Sequence, residues 1–192
     1  MTFMDLVKNN RSYRGFDESY KFTKKDLVSL IEYARLTPSG QNKQPLKYYL
    51  AHEDAQVASI QPLTNWAMAL APMKLPHEGM CPTGFIVICV DTNITETVAS
   101  CNRDIGIAAQ TILLAAAEKE LGGCMIGSFQ APAVKELLAL PEHIVPALII
   151  ALGKPAEKIV LTDVSEDESV RYYRDDADVH YVPKRTIDEI IL

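Results

Sequence analysis

Four cysteines, four histidines and one tryptophan are spread through 192 residues, and their scarcity removes several chemistries at once. Cys81, Cys89, Cys101 and Cys124 form no CxxC pair and stand near no histidine cluster, so the expectation is buried, reduced thiols rather than a disulfide framework or a zinc site. His52, His77, His143 and His180 are scattered without metal spacing. An excess of positive charge is also missing: 19 Lys and Arg stand against 25 Asp and Glu, a formal charge of -6. Nothing global therefore attracts nucleic acid or an anionic membrane surface, although a local basic site can still hold one anion. The most apolar helical stretch, Ile105 to Ala117, falls short of the roughly 20 residues needed to cross a bilayer. The opening segment lacks the apolar centre of a secretory signal, which makes the cytoplasm the expected compartment. There is no GxGxxG after a strand, no GxxxxGK[ST], no GxSxG and no HExxH. Without an organised nucleophile or metal site, redox chemistry in this chain requires an organic cofactor.

What is present is an ordinary globular pattern, expected to form a single domain over 1–192. Thr2 with Asp5, and Thr23 with Asp26, carry capping-box spacing. The first opens a short helix and the second a helix with Leu27, Leu30, Ile31 and Ala34 on one face. Pro38, Gly40 and Pro45 break that helix into a loop before a short strand at Lys47 to Ala51. Ala55 to Ile60 reads as helix. Pro62 to Gly84, rich in Pro and Gly, reads as a long, mostly irregular excursion with a helical turn near Trp66 to Leu70, a kind of loop that often carries function. Phe85 to Val90 and Val145 to Leu152 are continuous apolar runs and read as buried strands. Between them Arg103 to Leu121 is the strongest helix signal, apolar on nearly every face and therefore destined for a core or a subunit interface. Gly122-Gly123 is expected to end it. Pro132 to Ala139 reads as a surface helix, Glu166 to Asp178 as an exposed charged stretch, and Thr186 to Ile191 as a last helical turn. The class is α+β.

Four constellations remain. Arg11-Ser12-Tyr13-Arg14 can converge two guanidinium groups on one anion, or can be a solvated basic loop. Thr37 to Pro45 offers small residues and amides that suit a heterocycle edge, or an ordinary polar turn. Leu121 to Ser128 lets backbone approach a planar ligand, or caps a helix. Val182-Pro183-Lys184-Arg185 adds cations, or is a basic tail.

In order and spacing, RSYR, PSGQNKQP, RDIGIAAQTILLAAAEKELGGCMIG, LGKP and HYVPKR together resemble the nitroreductase family of flavoproteins over almost the whole chain. The resemblance implies an α+β fold, a small mixed β-sheet flanked by helices, with the central apolar helix at a homodimer interface and FMN bound there. It implies that Arg11, Ser12, Tyr13 and Arg14 surround the FMN phosphate, ribityl chain and pyrimidine edge, and that Lys184 and Arg185 help neutralise the phosphate. Pro38, Ser39, Gly40, Asn42 and Gln44 line the flavin from the partner subunit, and Met125, Ile126 and Gly127 lie near the ring. It further implies ping-pong hydride transfer from NAD(P)H through flavin N5 to a small oxidised acceptor such as a nitroaromatic or a quinone. A flavin-binding storage or sensor protein is the alternative reading. No catalytic side chain is assigned.

Overall fold

The strand Gly84–Asp91 is buried at every position, because its two faces serve two different cores. A computed structural model describes residues 2–192. In chain order its helices are α1 (Phe3–Asn9), α2 (Lys24–Arg35), α3 (Asp54–Ile60), α4 (Asn102–Glu118), α5 (Ala131–Leu137) and α6 (Ile187–Ile190). Its strands are β1 (Phe16–Asp17), β2 (Leu46–Ala51), β3 (Gly84–Asp91), β4 (Gly122–Ile126), β5 (Ile144–Pro155), β6 (Ile159–Val164), β7 (Tyr173–Arg174) and β8 (His180–Arg185). Short 3-10 turns at Gly40–Asn42, Gln61–Leu63, Met68–Leu70 and Ala99–Cys101 fill several connections.

The main sheet runs β1-β5-β3-β2 with β4 also on β5, and all of its pairings are antiparallel. Strand side chains alternate between faces. Ile86, Ile88, Val90, Ile150 and Leu152 thus pack with Leu27 and Leu30 of α2 and with Ile105, Ala108, Ile112 and Leu113 of α4. Phe85, Val87, Cys89, Ile149 and Ala151 pack on the opposite side with Val57 and Ile60 of α3, Val134 of α5, and Cys124 and Ile126 of β4. The result is helices on both faces of one sheet. The mixture of parallel and antiparallel pairing lies in a second sheet, β6-β8-β7, where β6 runs parallel to β8 and β7 antiparallel.

Both capping boxes form: Thr2 and Thr23 each accept from the backbone N–H of the aspartate three residues on, and each aspartate accepts in return. All four cysteines are free, three of them buried. Burial pushes the Cys89 thiol up to about 12. Gly122-Gly123 is not the helix terminus. α4 gives way before it, with Glu120 at φ 59, and the glycines begin β4. Their small size serves packing there. A Cβ on Gly123 would lie 2.3 Å from the Ala151 carbonyl oxygen, and one on Gly122 would lie 2.4 Å from the Tyr13 ring. Trp66 and Phe129 pack against the second core, and Trp66 donates its indole N–H to Thr64 Oγ1 at 2.8 Å.

α4 itself is two-sided. Eight of its residues are buried, while Arg103, Gly106, Ile107 and Gln110 form an exposed stripe continued by half-buried Leu114. No helix among the described residues is long and apolar enough to cross a membrane.

Candidate functional site

The RSYR segment has no regular structure of its own and is tied down by its neighbours. Ser12 bridges Gly123 of β4, and the Tyr13 N–H donates to the Gly123 carbonyl at 3.0 Å. The Arg14 N–H donates to Glu157 Oε1, and the second oxygen of that carboxylate accepts from the Arg174 guanidinium. Both side chains of the Glu157–Arg174 pair are almost wholly buried, at 2% and 1% exposure. Arg174 also donates to Asp178 at 2.9 Å, and Asp178 in turn faces His77 at 3.2 Å. A buried carboxylate thus orients the backbone that carries Arg14, and a buried cation compensates it.

With the backbone fixed, Arg11, Ser12 and Arg14 enter one cavity of about 360 Å³ together with Gln110 and Leu113 of α4, Met125 of β4, Tyr172, and His180, Val182 and Lys184 of β8. Arg14 lies over the Tyr172 ring at 4.9 Å and is 9% exposed. The Arg11 Nε is buried without a hydrogen-bond partner among the described residues, and burial pulls its guanidinium below its ordinary pKa. Among the described residues three cations line the cavity and no carboxylate does. In a chain with 25 Asp and Glu against 19 Lys and Arg, that segregation suits the cavity to an anion.

The other residues singled out from the sequence divide. Tyr13 leaves the cavity: its ring packs over Gly122 and its hydroxyl donates to the Asn9 carbonyl at 3.0 Å. Ile126 is 4% exposed and belongs to the second core, because β4 alternates and turns only Met125 to the cavity. Gly127 is exposed, and a Cβ added there would meet nothing within 4 Å. On β8 the same alternation places Lys184 on the cavity face and sends Arg185 to the other. The excursion 62–84 contributes nothing to this wall. It is fastened instead to the charged stretch beyond it, where Arg171 donates to the Ala69 carbonyl.

Pro38, Ser39 and Gln44 line a second cavity of about 340 Å³, with Lys47, Tyr48 and Asp104. This loop is organised on the first turn of α4: Ser39 Oγ donates to Asp104 Oδ2 at 2.6 Å, the Gly40 N–H donates to the same carboxylate, and the Gln44 N–H donates to Ser39 Oγ at 3.0 Å. Gln41, Asn42 and Gln44 take φ values of 53, 54 and 52°, three left-handed non-glycine residues within four positions. Such strain persists only where surroundings hold it, and it gathers at ligand sites. Within one chain this loop and the cationic cavity are separate.

Motif spacing alone overlooks Tyr172, His180 and Gln110. A signal for His180 is present, since reading HYVPKR as a strand puts it two steps from Val182 and four from Lys184, on the same face.

Helices on both faces of an antiparallel sheet, with a cation-lined cavity beside β4, define a class whose sequence pattern matches a known one. The nitroreductase family model matches residues 7–84 and 99–154, well over half of the chain, and the chain belongs to that family. A Methanothermobacter thermautotrophicus protein, provisionally named NADH dehydrogenase/NAD(P)H nitroreductase, is 23% identical over 88% of this chain and 86% of its own. Among solved structures, a nitroreductase family protein from Streptococcus pneumoniae superposes with a TM-score of 0.72 at 20% identity, covering 100% of this chain and 99% of that one. A provisionally assigned nitroreductase from Exiguobacterium sibiricum, solved in complex with FMN, gives a TM-score of 0.67 at 18% identity over 82% of this chain and 90% of its own.

Proposed function

We propose that the chain is an FMN-dependent oxidoreductase that takes hydride from NADH or NADPH and passes it to a small oxidised acceptor, a nitroaromatic, a quinone or a similar compound. The observation that carries this reading is the gathering of Arg11, Arg14 and Lys184 in one cavity that no carboxylate among the described residues lines. A phosphomonoester brings about two negative charges at neutral pH. Guanidinium forks match its oxygens, and Lys184 adds a compact charge. Leu113, Met125 and Val182 give the same cavity apolar surface for a ring system. Buried Arg11 Nε, lacking a partner among the described residues, is the donor that such a ligand would satisfy. When bound, FMN supplies the two-electron carrier that the chain's own side chains lack. The NAD(P)H nitroreductase name of the archaeal relative and the FMN complex of the structural neighbour support the same assignment.

In this reading the active unit is a homodimer. The exposed α4 stripe borders the cavity through Gln110, and the strained 39–44 loop sits at the N-terminal turn of the same helix. A second copy packed on that stripe brings its Pro38, Ser39, Asn42 and Gln44 to the flavin of the first.

The test is anaerobic. Protein incubated with FMN and desalted is expected to keep a flavin band at ~450 nm that bleaches when NADH or NADPH is added, after which an acceptor panel identifies what reoxidises it. Protein that emerges colourless overturns the proposal. A retained band that neither nicotinamide bleaches replaces turnover with flavin storage or sensing.

A further inference from the structure

His180 is 2% exposed, lies on the cavity wall, and has neither ring nitrogen hydrogen-bonded to any described residue. Its ring meets Tyr172 edge-on, with centroids 5.4 Å apart, and Tyr172 in turn carries Arg14 on its face. A histidine buried only to fill space would place both nitrogens at a cost, since an imidazole always has one polar N–H and one lone pair to satisfy. The charged groups that bear on it are Arg14 from the RSYR segment, Arg174 from β7 and Asp178 from the turn before β8, with Lys184 further along its own cavity-facing row. Burial first, and then Arg14 and Arg174, hold the imidazole neutral, with its pKa lowered to about 4. A neutral ring among cations keeps one N–H to give, and the group that complements it is an anionic oxygen. No hydrogen bond among the described residues uses that N–H.

We propose that His180 touches the ligand directly, donating a ring N–H to an oxygen of the phosphate held by Arg11, Arg14 and Lys184, and so helps the cavity distinguish a phosphorylated flavin from its dephosphorylated form. This rests on the flavin reading above. It adds a neutral donor to the cations, in the position where a fourth charge would be repelled by Arg14 and Arg174. Lys184 and His180, on one strand face, then grip the phosphate from β8 while the RSYR segment grips it from β4's side.

The experiment compares FMN and riboflavin, titrated into flavin-free protein by fluorescence quenching, for wild type, His180→Leu and His180→Gln. His180→Leu fills the volume without a donor, and His180→Gln retains an N–H. The expected result is FMN affinity weakened on the order of 10-fold in His180→Leu and recovered in good part by His180→Gln, with riboflavin affinity within about 2-fold in all three. Two results overturn the proposal: FMN affinity unchanged in both variants, or FMN and riboflavin weakened equally, which would make the ring a packing element. If thermal melting shows that His180→Leu does not fold, His180→Gln decides against wild type alone: FMN weakened about 2- to 5-fold with riboflavin unmoved supports it, and unchanged FMN overturns it. Failure of wild type to bind either flavin sinks the flavin reading itself, and is seen before any variant is made.

Discussion

At the scale of single residues, His180 couples the site to acidity. Its imidazole titrates near 6.5 when free and at about 4 in the fold, so between those values the unfolded chain binds more protons than the native one. Stability from this group is complete above pH 6.5 and is lost as pH falls toward 4. Going from pH 7 to pH 5 removes about 2 kcal/mol through His180 alone. Urea unfolding of the unliganded protein at the two pH values should therefore show wild type losing about 2 kcal/mol more than His180→Gln, and equal losses would refute it. Gly123 makes a different demand. An added methyl meets a backbone oxygen rather than a flexible side chain, so Gly123→Ala has to separate β4 from β5, and a loss of about 2–3 kcal/mol is expected in the same assay. Arg14→Ala should release bound FMN at least ~10-fold more readily than Arg171→Ala, because Arg171 is exposed and its guanidinium donates to the Ala69 carbonyl, outside the cavity. Equal FMN retention after desalting would contradict that placement.

At the scale of elements, the sequence is most readable where one physical rule acts alone. The Thr23 box sets the start of α2, and Thr23→Ala is expected to lower stability by about 1 kcal/mol in urea melts, since the Asp26 N–H loses its acceptor. β3 and β5 are legible as unbroken apolar runs because both of their faces are covered. β6, β7 and β8 are not. β6 pairs with a strand beyond an intervening charged stretch, β7 has two residues, and β8 carries polar groups on its cavity face. A strand that lines a cavity in this way hides its period, because polar groups interrupt the hydrophobic pattern on the cavity side. Gly122-Gly123 misleads for a related reason: glycine ends helices, but it also lets strands approach closely, and only the tertiary neighbours decide which. The basic tetrapeptides are visible as types, yet the split between Lys184 and Arg185, or between Met125 and Ile126, follows from strand direction that isolated motifs do not carry.

At the scale of the whole molecule, several of the most exposed apolar side chains lie near the two termini, and one stands on α4. Phe3, Met4, Ile187, Ile190 and Ile191 are each more than 60% exposed, and Ile107 stands on the α4 stripe at 41%. In the proposed homodimer, Ile107 lies on the face that the second copy covers. Sedimentation is expected to give about twice the 21.3 kDa chain mass. Ile107→Lys should shift it toward the monomer and reduce FMN retention in parallel, because the 39–44 loop of the second copy would be lost with the contact. Full FMN retention in a monomeric variant would show instead that one chain suffices.

The cationic cavity draws its walls from both the early and the late parts of the chain: Arg11 and Arg14 on one side, Tyr172, His180 and Lys184 on the other, with Glu157 and Arg174 buried beneath. The residues before Tyr172 contain every strand of the main sheet but only part of the cavity's walls. The main sheet can therefore form without the cavity, whereas the cavity is complete only once the last strand of the second sheet is in place.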